Sequence, residues 1–200
     1  MNAEPAIALL ELDSVAVGTQ VADAMVKRAP IEMFRVGTVQ PGKYLILIGG
    51  TVAAVEESHV EGLRLGGEAL TDDILLPDVH EQVYRSVAGE RRANDGDALG
   101  IIETSSIPAN VQAADKAVKA ANVVIVEIRL GDGLGGKGIT LLTGKVEDVQ
   151  AAIAAGVASV GKSEIVTRSV IIPAQHAELR RRAGRSTVFS DQQAPLGRGE

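Results

Sequence analysis

The sequence predicts an α/β protein of the α+β kind, made of two tandem β-α-β-β-α-β units. Two observations carry this prediction. The segment Ala6–Ile31 recurs as Ala98–Val123 without a gap, so one structural unit occurs twice along the chain. Within each copy, short apolar runs typical of strands alternate with longer stretches whose apolar residues recur every three or four positions, as in helices.

The first copy opens with a predicted strand at Ile7–Leu12, followed by a turn that ends at Ser14. A helix follows, because its apolar residues are spaced by four, and Pro30 closes it. The β-rich runs Met33–Val39 and Tyr44–Ile48 are separated by a short turn and indicate a hairpin.

The second copy repeats this hairpin as Val123–Leu130 and Ile139–Thr143, with a loop that is two residues longer. An apolar stripe from Val146 to Val160 then predicts a helix on the sheet, and the matching helix of the first copy carries His59 at a core-facing position. Each copy ends in a short strand, a Pro-x-x-His segment and a helix. The two short strands are Ile74–Leu76 and Val170–Ile172.

The polar, glycine-containing stretch Ala88–Asp97 separates the two copies and is typical of a linker. We therefore expect a first domain at residues 1–93, which includes the linker, and a second domain at residues 94–182. Residues 183–200 have no apolar period and are rich in polar residues, so we expect a disordered tail.

The composition argues against several classes of function. A net charge of -6 and an aromatic content of 2% do not suit a nucleic-acid surface, which needs basic patches and stacking platforms. With no cysteine, the chain has neither disulfides nor thiolate metal sites. The first residues lack a signal-peptide pattern and no apolar run is long enough for a membrane span, so we expect a soluble, unexported protein.

Two segments match the phosphate-loop pattern GxxxxGK, at residues 37–43 and 131–137. Residues 131–136 also match the dinucleotide pattern GxGxxG. A phosphate loop needs a Ser or Thr after the lysine and a helix directly behind it. The residues that follow here are Tyr44 and Gly138, and apolar strands come next, so the sequence argues against nucleotide binding.

No catalytic arrangement emerges from the remaining polar residues. The three histidines lack any metal-ligand spacing, so we expect no metal site and no cofactor. Glu11 and Glu103 end equivalent strands and could in principle act as an acid and base pair, but duplication alone explains their recurrence. Ser14 and Ser106 follow them at helix starts, where capping is the simpler role. We expect a protein that is not an enzyme.

The repeated elements resemble the bacterial microcompartment shell proteins, specifically the tandem two-domain, trimer-forming class with unpermuted strand order. The resemblance extends over residues 6 to about 180. It rests on the segments AIALLEL and ALGIIET, the helices ADAMVKRAP and AADKAVKAANV, the turns PGK and GGK, and the ending IIPAQH.

This resemblance implies ferredoxin-like shell domains, three chains in a flat pseudohexamer, and tiling with other hexamer and pentamer tiles into a shell around enzymes in the bacterial cytoplasm. It implies that Lys27 and Lys119 lie at the tile edge. From the helical spacing alone, both lysines form solvated pairs with aspartates four residues earlier. The residues that the resemblance assigns to the pore lining are Gln40, Pro41, Gly42, Asp132, Gly133, Leu134 and Gly135.

The chain departs from the family pattern at two places. Some relatives carry a cysteine before the first turn and hold an iron-sulfur cluster on the three-fold axis, whereas this chain has Gln40. Ala174 and Gln175 precede His176, where the family often has an arginine that reaches into the neighbouring tile. The alternatives to a shell protein are a trimeric small-molecule-binding regulator of ferredoxin-like fold and, third, a nucleotide-hydrolysing enzyme.

Overall fold

The computed structural model describes residues 5–160, 165–183, 185, 187 and 188, which form two sheets with their helices. The elements of the first unit are β1 (Ala6–Leu12), α1 (Val15–Arg28), β2 (Met33–Val39), β3 (Lys43–Gly50), α2 (Val52–Gly66), β4 (Leu70–Leu76) and α3 (Glu81–Val87). Those of the second unit are β5 (Ala98–Thr104), α4 (Ile107–Ala120), β6 (Val124–Leu130), β7 (Gly138–Gly144), α5 (Val146–Ser159), β8 (Val166–Pro173) and α6 (Ala177–Ala183).

Both sheets are antiparallel and have the same topology, with strand orders β2-β3-β1-β4 and β6-β7-β5-β8. The predicted order of elements in each unit is therefore confirmed. The last strands begin earlier than the apolar runs indicate, at Leu70 and Val166. Their first halves are largely polar, for example Asp72 and Arg168, but their backbones still pair with β1 and β5.

Serine and histidine side chains cap the N-terminal ends of four of the helices. Ser14 Oγ accepts a hydrogen bond from Val17 N at 3.3 Å, and Ser106 Oγ accepts one from Ala109 N at 3.2 Å, which confirms the predicted capping. His80 Nδ1 accepts from Gln82 N at 3.2 Å, and a histidine at the same place starts α6. These imidazoles thus have a structural role in the turns that begin α3 and α6.

The core-facing position of His59 is also confirmed. Its side chain is buried, and its Nε2 lies 2.7 Å from Asp73 Oδ2, a carboxylate on β4. A buried imidazole needs such a polar partner because its ring nitrogens would otherwise lose their hydrogen bonds to water.

Strand β1 is buried on both faces, which links the two units. Leu10 and Leu12 point into the cluster under α1 and α2, whereas Ile7 and Leu9 belong to the cluster shared with α3, α4 and the second sheet. Helix α4 therefore packs against two sheets at once. Gln82 on α3 ties this arrangement to the edge of β6, because its side chain accepts from Ile125 N and donates to Val123 O.

The linker and the start of the tail also contact the folded units. Asn94 and Gln175 are buried and exchange two amide hydrogen bonds, of 2.8 and 3.0 Å. Thr187 Oγ1 donates to Glu127 Oε2 at 2.6 Å. Most of residues 183–200, for which the sequence predicts disorder, lie outside the described residues.

Two glycines at equivalent places allow paired helices to approach closely. A Cβ on Gly156 would lie 2.7 Å from Ala113 O, a backbone atom of α4, whereas a Cβ on Gly62 would meet the flexible side chains of Leu10 and Met25. Backbone cannot move aside as a side-chain terminus can. We expect the packing between α4 and α5 to be the less tolerant of the two.

Replacement of Gly156 by Ala should therefore lower the free energy of unfolding by about 1–3 kcal/mol, the usual cost of overpacking a core. Gly62→Ala should cost less, because side chains can repack. Gly37→Ala is the control, since a Cβ there meets nothing within 4 Å. Urea denaturation followed by circular dichroism measures all three, and equal effects at 156 and 37 would contradict the prediction.

Candidate pore loops and assembly surfaces

The predicted pore loops of the two units lie side by side within one chain. The turn from Gln40 to Gly42 joins β2 to β3, and the loop at 131–137 joins β6 to β7. A Cβ on Gly136 would lie 2.8 Å from Gln40 O and 3.1 Å from Pro41 Cδ, so the two backbones are in contact. The structure thus brings the two sequence-predicted groups together.

The longer loop is shaped by glycine. Four of its residues, Gly131, Gly133, Gly135 and Gly136, have φ between +62° and +87°, a region that other residues rarely adopt. Arg129 Nη2 donates to Asp132 O at 2.6 Å and holds the loop at its start. Of the seven predicted lining residues, Leu134 is half-buried. The exposed ones are Gln40, Pro41, Gly42, Asp132, Gly133 and Gly135.

The lysines of the two GxxxxGK segments pair with the strand-end glutamates. Lys43 Nζ contacts Glu11 Oε1, and Lys137 Nζ lies 2.6 Å from Glu103 Oε1. Strands follow both segments, as predicted, so neither has the helix that a phosphate loop requires. Sequence reasoning missed this pairing, although the joint recurrence of lysine and glutamate in both copies was the signal for it.

The two glutamates differ in their second contact. Glu11 is buried, and its Oε2 accepts a hydrogen bond from Ile107 N at 2.9 Å, at the first residue of α4 in the other unit. Asp72 accepts a hydrogen bond from Ser106 Oγ at the same helix start. Two carboxylates of the first unit therefore meet the N-terminal end of α4, where the helix dipole favours negative charge.

The two predicted edge lysines also lie in different surroundings. Lys27 Nζ lies 2.6 Å from Asp23, and the two side chains are 72% and 59% exposed. The Lys119 side chain is 31% exposed, lies 2.9 Å from Asp115 and donates to Asp78 O in the first unit.

The prediction of a solvent-exposed lysine–aspartate pair is confirmed for Lys27 and Asp23 and is wrong for Lys119 and Asp115. Asp115 is buried and accepts a hydrogen bond from His80 N at 2.9 Å, since α3 covers this side of α4.

Helix α6 carries an acid whose pKa is lowered by its neighbours. Hydrogen bonds from Arg181 and then Arg182 lower the pKa of Glu178 from 4.5 to about 2, because both guanidinium groups stabilise the charged carboxylate. Gln175, just before α6, turns inward to Asn94 and is not available for outward contacts.

Neither a metal site nor a membrane helix occurs in the described part of the chain. No group of three or more histidine, aspartate or glutamate residues there could hold a metal ion. None of the helices described is both long and apolar enough to cross a bilayer.

Comparison with known proteins identifies the family. The model of the BMC domain matches twice, at residues 6–79 and 98–175. The bacterial microcompartment shell protein PduT of Citrobacter freundii is 37% identical over 174 residues, which are 87% of this chain and 95% of that protein. The carboxysome shell protein CcmK2 of Thermosynechococcus vestitus is 41% identical over 78 residues, 37% of this chain and 74% of the relative.

A solved structure agrees with the fold. The crystal structure of a microcompartment protein from Desulfitobacterium hafniense has a TM-score of 0.81 and 41% identity, and the match covers 90% of this chain and 99% of that one. The architecture and the repeated domain define a shell-protein fold. The chain belongs to the bacterial microcompartment shell proteins and carries two BMC domains in tandem.

The contrast between the two lysines gives a prediction about stability. Lys119→Ala should lower the free energy of unfolding by about 1–3 kcal/mol, because the buried Asp115 carboxylate loses its cation. Lys27→Ala, the matched control, should cost only about 0.3–0.5 kcal/mol, as for an exposed i,i+4 pair. Urea denaturation at matched protein concentration compares the two variants. Equal losses of unfolding free energy would show that Lys119 stabilises the fold no more than an exposed lysine does.

Proposed function

We propose that this chain is a structural shell protein whose homotrimer forms a pseudohexameric tile in the shell of a bacterial microcompartment. Its partners are other hexameric and pentameric shell proteins, and it lies in the bacterial cytoplasm around encapsulated enzymes. The central axis of the tile is a pore for small polar metabolites. The observation that carries this proposal is the pair of BMC domains whose hairpin loops lie against each other.

The loop contact supports a pore because a ring of three chains contains six such loops. Head-to-tail contacts between chains close into a ring when the rotation between neighbours permits it. If each chain places its two loops toward the axis, Gln40 and the loop at 131–137 alternate around it. A carboxamide can donate and accept hydrogen bonds, and glycine leaves backbone N–H groups accessible, so this lining suits neutral or anionic polar solutes.

Assembly into sheets is the first test. Concentrated protein should form trimers of about three times the 20.8 kDa chain mass, and these should tile into sheets or tubes visible by negative-stain microscopy. Lys27→Ala should keep the trimer, because one exposed ion pair contributes under about 1 kcal/mol, and should lose the tiling. Analytical ultracentrifugation measures the trimer in the same samples.

Asp23→Ala is the matched control, since it removes the partner of Lys27 but leaves the lysine. A chain that stays monomeric or dimeric at micromolar concentration contradicts the shell proposal. Discrete trimers that never tile, and whose melting temperature rises with a small ligand, would support the small-molecule regulator instead. Tiling by Lys27→Ala equal to that of the parent would remove this lysine from the tile edge.

The pore assignment has its own test, at Gln40. Three thiols placed around a three-fold axis would supply convergent soft ligands, so Gln40→Cys reconstituted anaerobically with iron and sulfide should gain visible iron-sulfur absorption. The control is Thr38→Cys, which places a thiol on the exposed part of β2 two residues before the turn. Trimers of Gln40→Cys that stay free of iron would show that residue 40 does not face the axis.

A further inference from the structure

An apolar groove lies beside the loop at 131–137, on the face of the first sheet that is opposite to α1 and α2. Its volume is about 120 Å³. A Cβ on Gly37 would meet nothing within 4 Å, so the space directly above this part of β2 is open. The apolar residues that line the groove are Leu9, Val36, Val39, Leu45, Leu47 and Leu130.

The corresponding place on the second sheet is filled. In the sheet registers, Arg129 stands where the first sheet has Gly37, and Glu127 stands where it has Arg35. Thr187, at the start of the C-terminal tail, lies on these two side chains. Its Oγ1 donates to Glu127 Oε2 at 2.6 Å and accepts from Arg129 Nη1 at 3.4 Å. The tail therefore begins on the second sheet at the place that is open on the first.

Arg129 also connects the tail to the groove. Its Nη2 donates to Asp132 O at 2.6 Å, and Asp132 lines the groove. Because one planar guanidinium contacts both atoms, Asp132 O and Thr187 Oγ1 lie within about 8 Å of each other. Two residues of extended chain span about 7 Å. Phe189, two residues beyond Thr187, is thus within reach of the groove.

We propose that the C-terminal tail docks in this groove, with the ring of Phe189 above Gly37 and the carboxylate of Asp191 at Arg35. Phe189 is the one aromatic residue of the chain after Tyr84. An apolar cavity of about 150 Å³ accommodates a benzene ring, so an open groove of about 120 Å³ suits one phenyl side chain. The inference concerns each chain by itself and does not rest on the trimer.

The spacing of the two contacts agrees with an extended tail. Arg35 and Gly37 are two residues apart on β2 and lie on one face of the sheet, and Phe189 and Asp191 are also two residues apart. A tail that runs along β2, away from the loop, can therefore make both contacts at once.

Charge favours this sheet over the other. Arg35 is exposed, and its guanidinium donates to a backbone carbonyl, Val87 O, at 2.5 Å. No carboxylate of the described residues forms an ion pair with it. At the same position of the second sheet Asp191 would meet Glu127, which repels it. Attraction at one site combined with repulsion at the alternative is a common basis of selective binding.

The docking is reversible, because burying one aromatic ring gains about as much free energy as ordering two or three residues costs. Each contact therefore shifts the docked fraction measurably. Since Arg129 holds both Thr187 and Asp132 O, the docked tail also restrains the start of the loop at 131–137.

A single fluorophore tests the docking, because the chain has no tryptophan. Phe189→Trp should emit at shorter wavelength and be quenched less by acrylamide than Leu196→Trp, which places the same indole farther along the tail. Adding Gly37→Val, which fills the groove, should remove the difference, and circular dichroism confirms that each variant is folded. Equal emission of Phe189→Trp and Leu196→Trp, or no effect of Gly37→Val, overturns the proposal.

The ion pair is tested by exchanging its charges. In the Phe189→Trp chain, Arg35→Glu should lower the ratio of docked to free tail by up to about fivefold, the limit for an exposed ion pair. Asp191→Arg alone should do the same, and the two changes together should restore docking. A double variant that docks no better than either single variant overturns the proposal.

Mixed chains separate docking within a chain from docking on a neighbour. Chains with both Gly37→Val and Phe189→Trp carry the fluorophore and a blocked groove, and parent chains offer an open groove without a fluorophore. When the two are refolded together, the emission should stay that of a free tail. Recovery of the shorter wavelength would assign the groove to the tail of a second copy and overturn docking within one chain.

Hydrogen exchange measured by mass spectrometry checks the result without tryptophan. Residues 186–200 should exchange faster in Gly37→Val than in the parent, because the filled groove releases the tail. Equal exchange in the two chains contradicts the docking. Tiling of the parent chain tests the proposed function independently of this outcome.

Discussion

The burial of α4 between two sheets is the constraint on which the rest of the chain depends. A helix packed on both sides must present small or apolar side chains around most of its circumference. Ala113, Ala114 and Ala117 meet this requirement and are fully buried. Their small size allows the backbone of α5 to approach at Gly156 while the first sheet covers the opposite side. The polar groups of α4 that face the first unit, such as Ser106 Oγ and Ile107 N, must then find their partners there.

The carboxylates that make these contacts come from both units. Glu11 and Asp72 meet the first turn of α4, and Asp115 accepts the backbone N–H of His80 farther along. A buried carboxylate without such partners would lower the free energy of unfolding by several kcal/mol. These contacts therefore favour one relative orientation of the two units.

The sequence predicts the order of the elements and the serine helix caps, because these depend on local spacing and on recurrence, whereas only the resemblance to shell proteins implied that the two loops lie together. It predicts the surroundings of Asp115 and Lys119 wrongly, since helical periodicity places them on a polar side and cannot show that α3 covers it. The early starts of β4 and β8 were missed for a similar reason. Backbone pairing with β1 and β5 continues through polar residues that carry no hydrophobic signal.

Joining two domains in one chain changes both the energetics and the symmetry of a ring. The junction between the two units forms within one molecule, so it does not incur the loss of translational and rotational freedom that association of separate chains costs. A six-unit ring then needs three associations between chains instead of six. In such a ring the six units also need not be identical. The short turn at Gln40 and the longer glycine loop at 131–137 differ in this way, and in the proposed trimer a pore lined by both would have three-fold rather than six-fold chemistry.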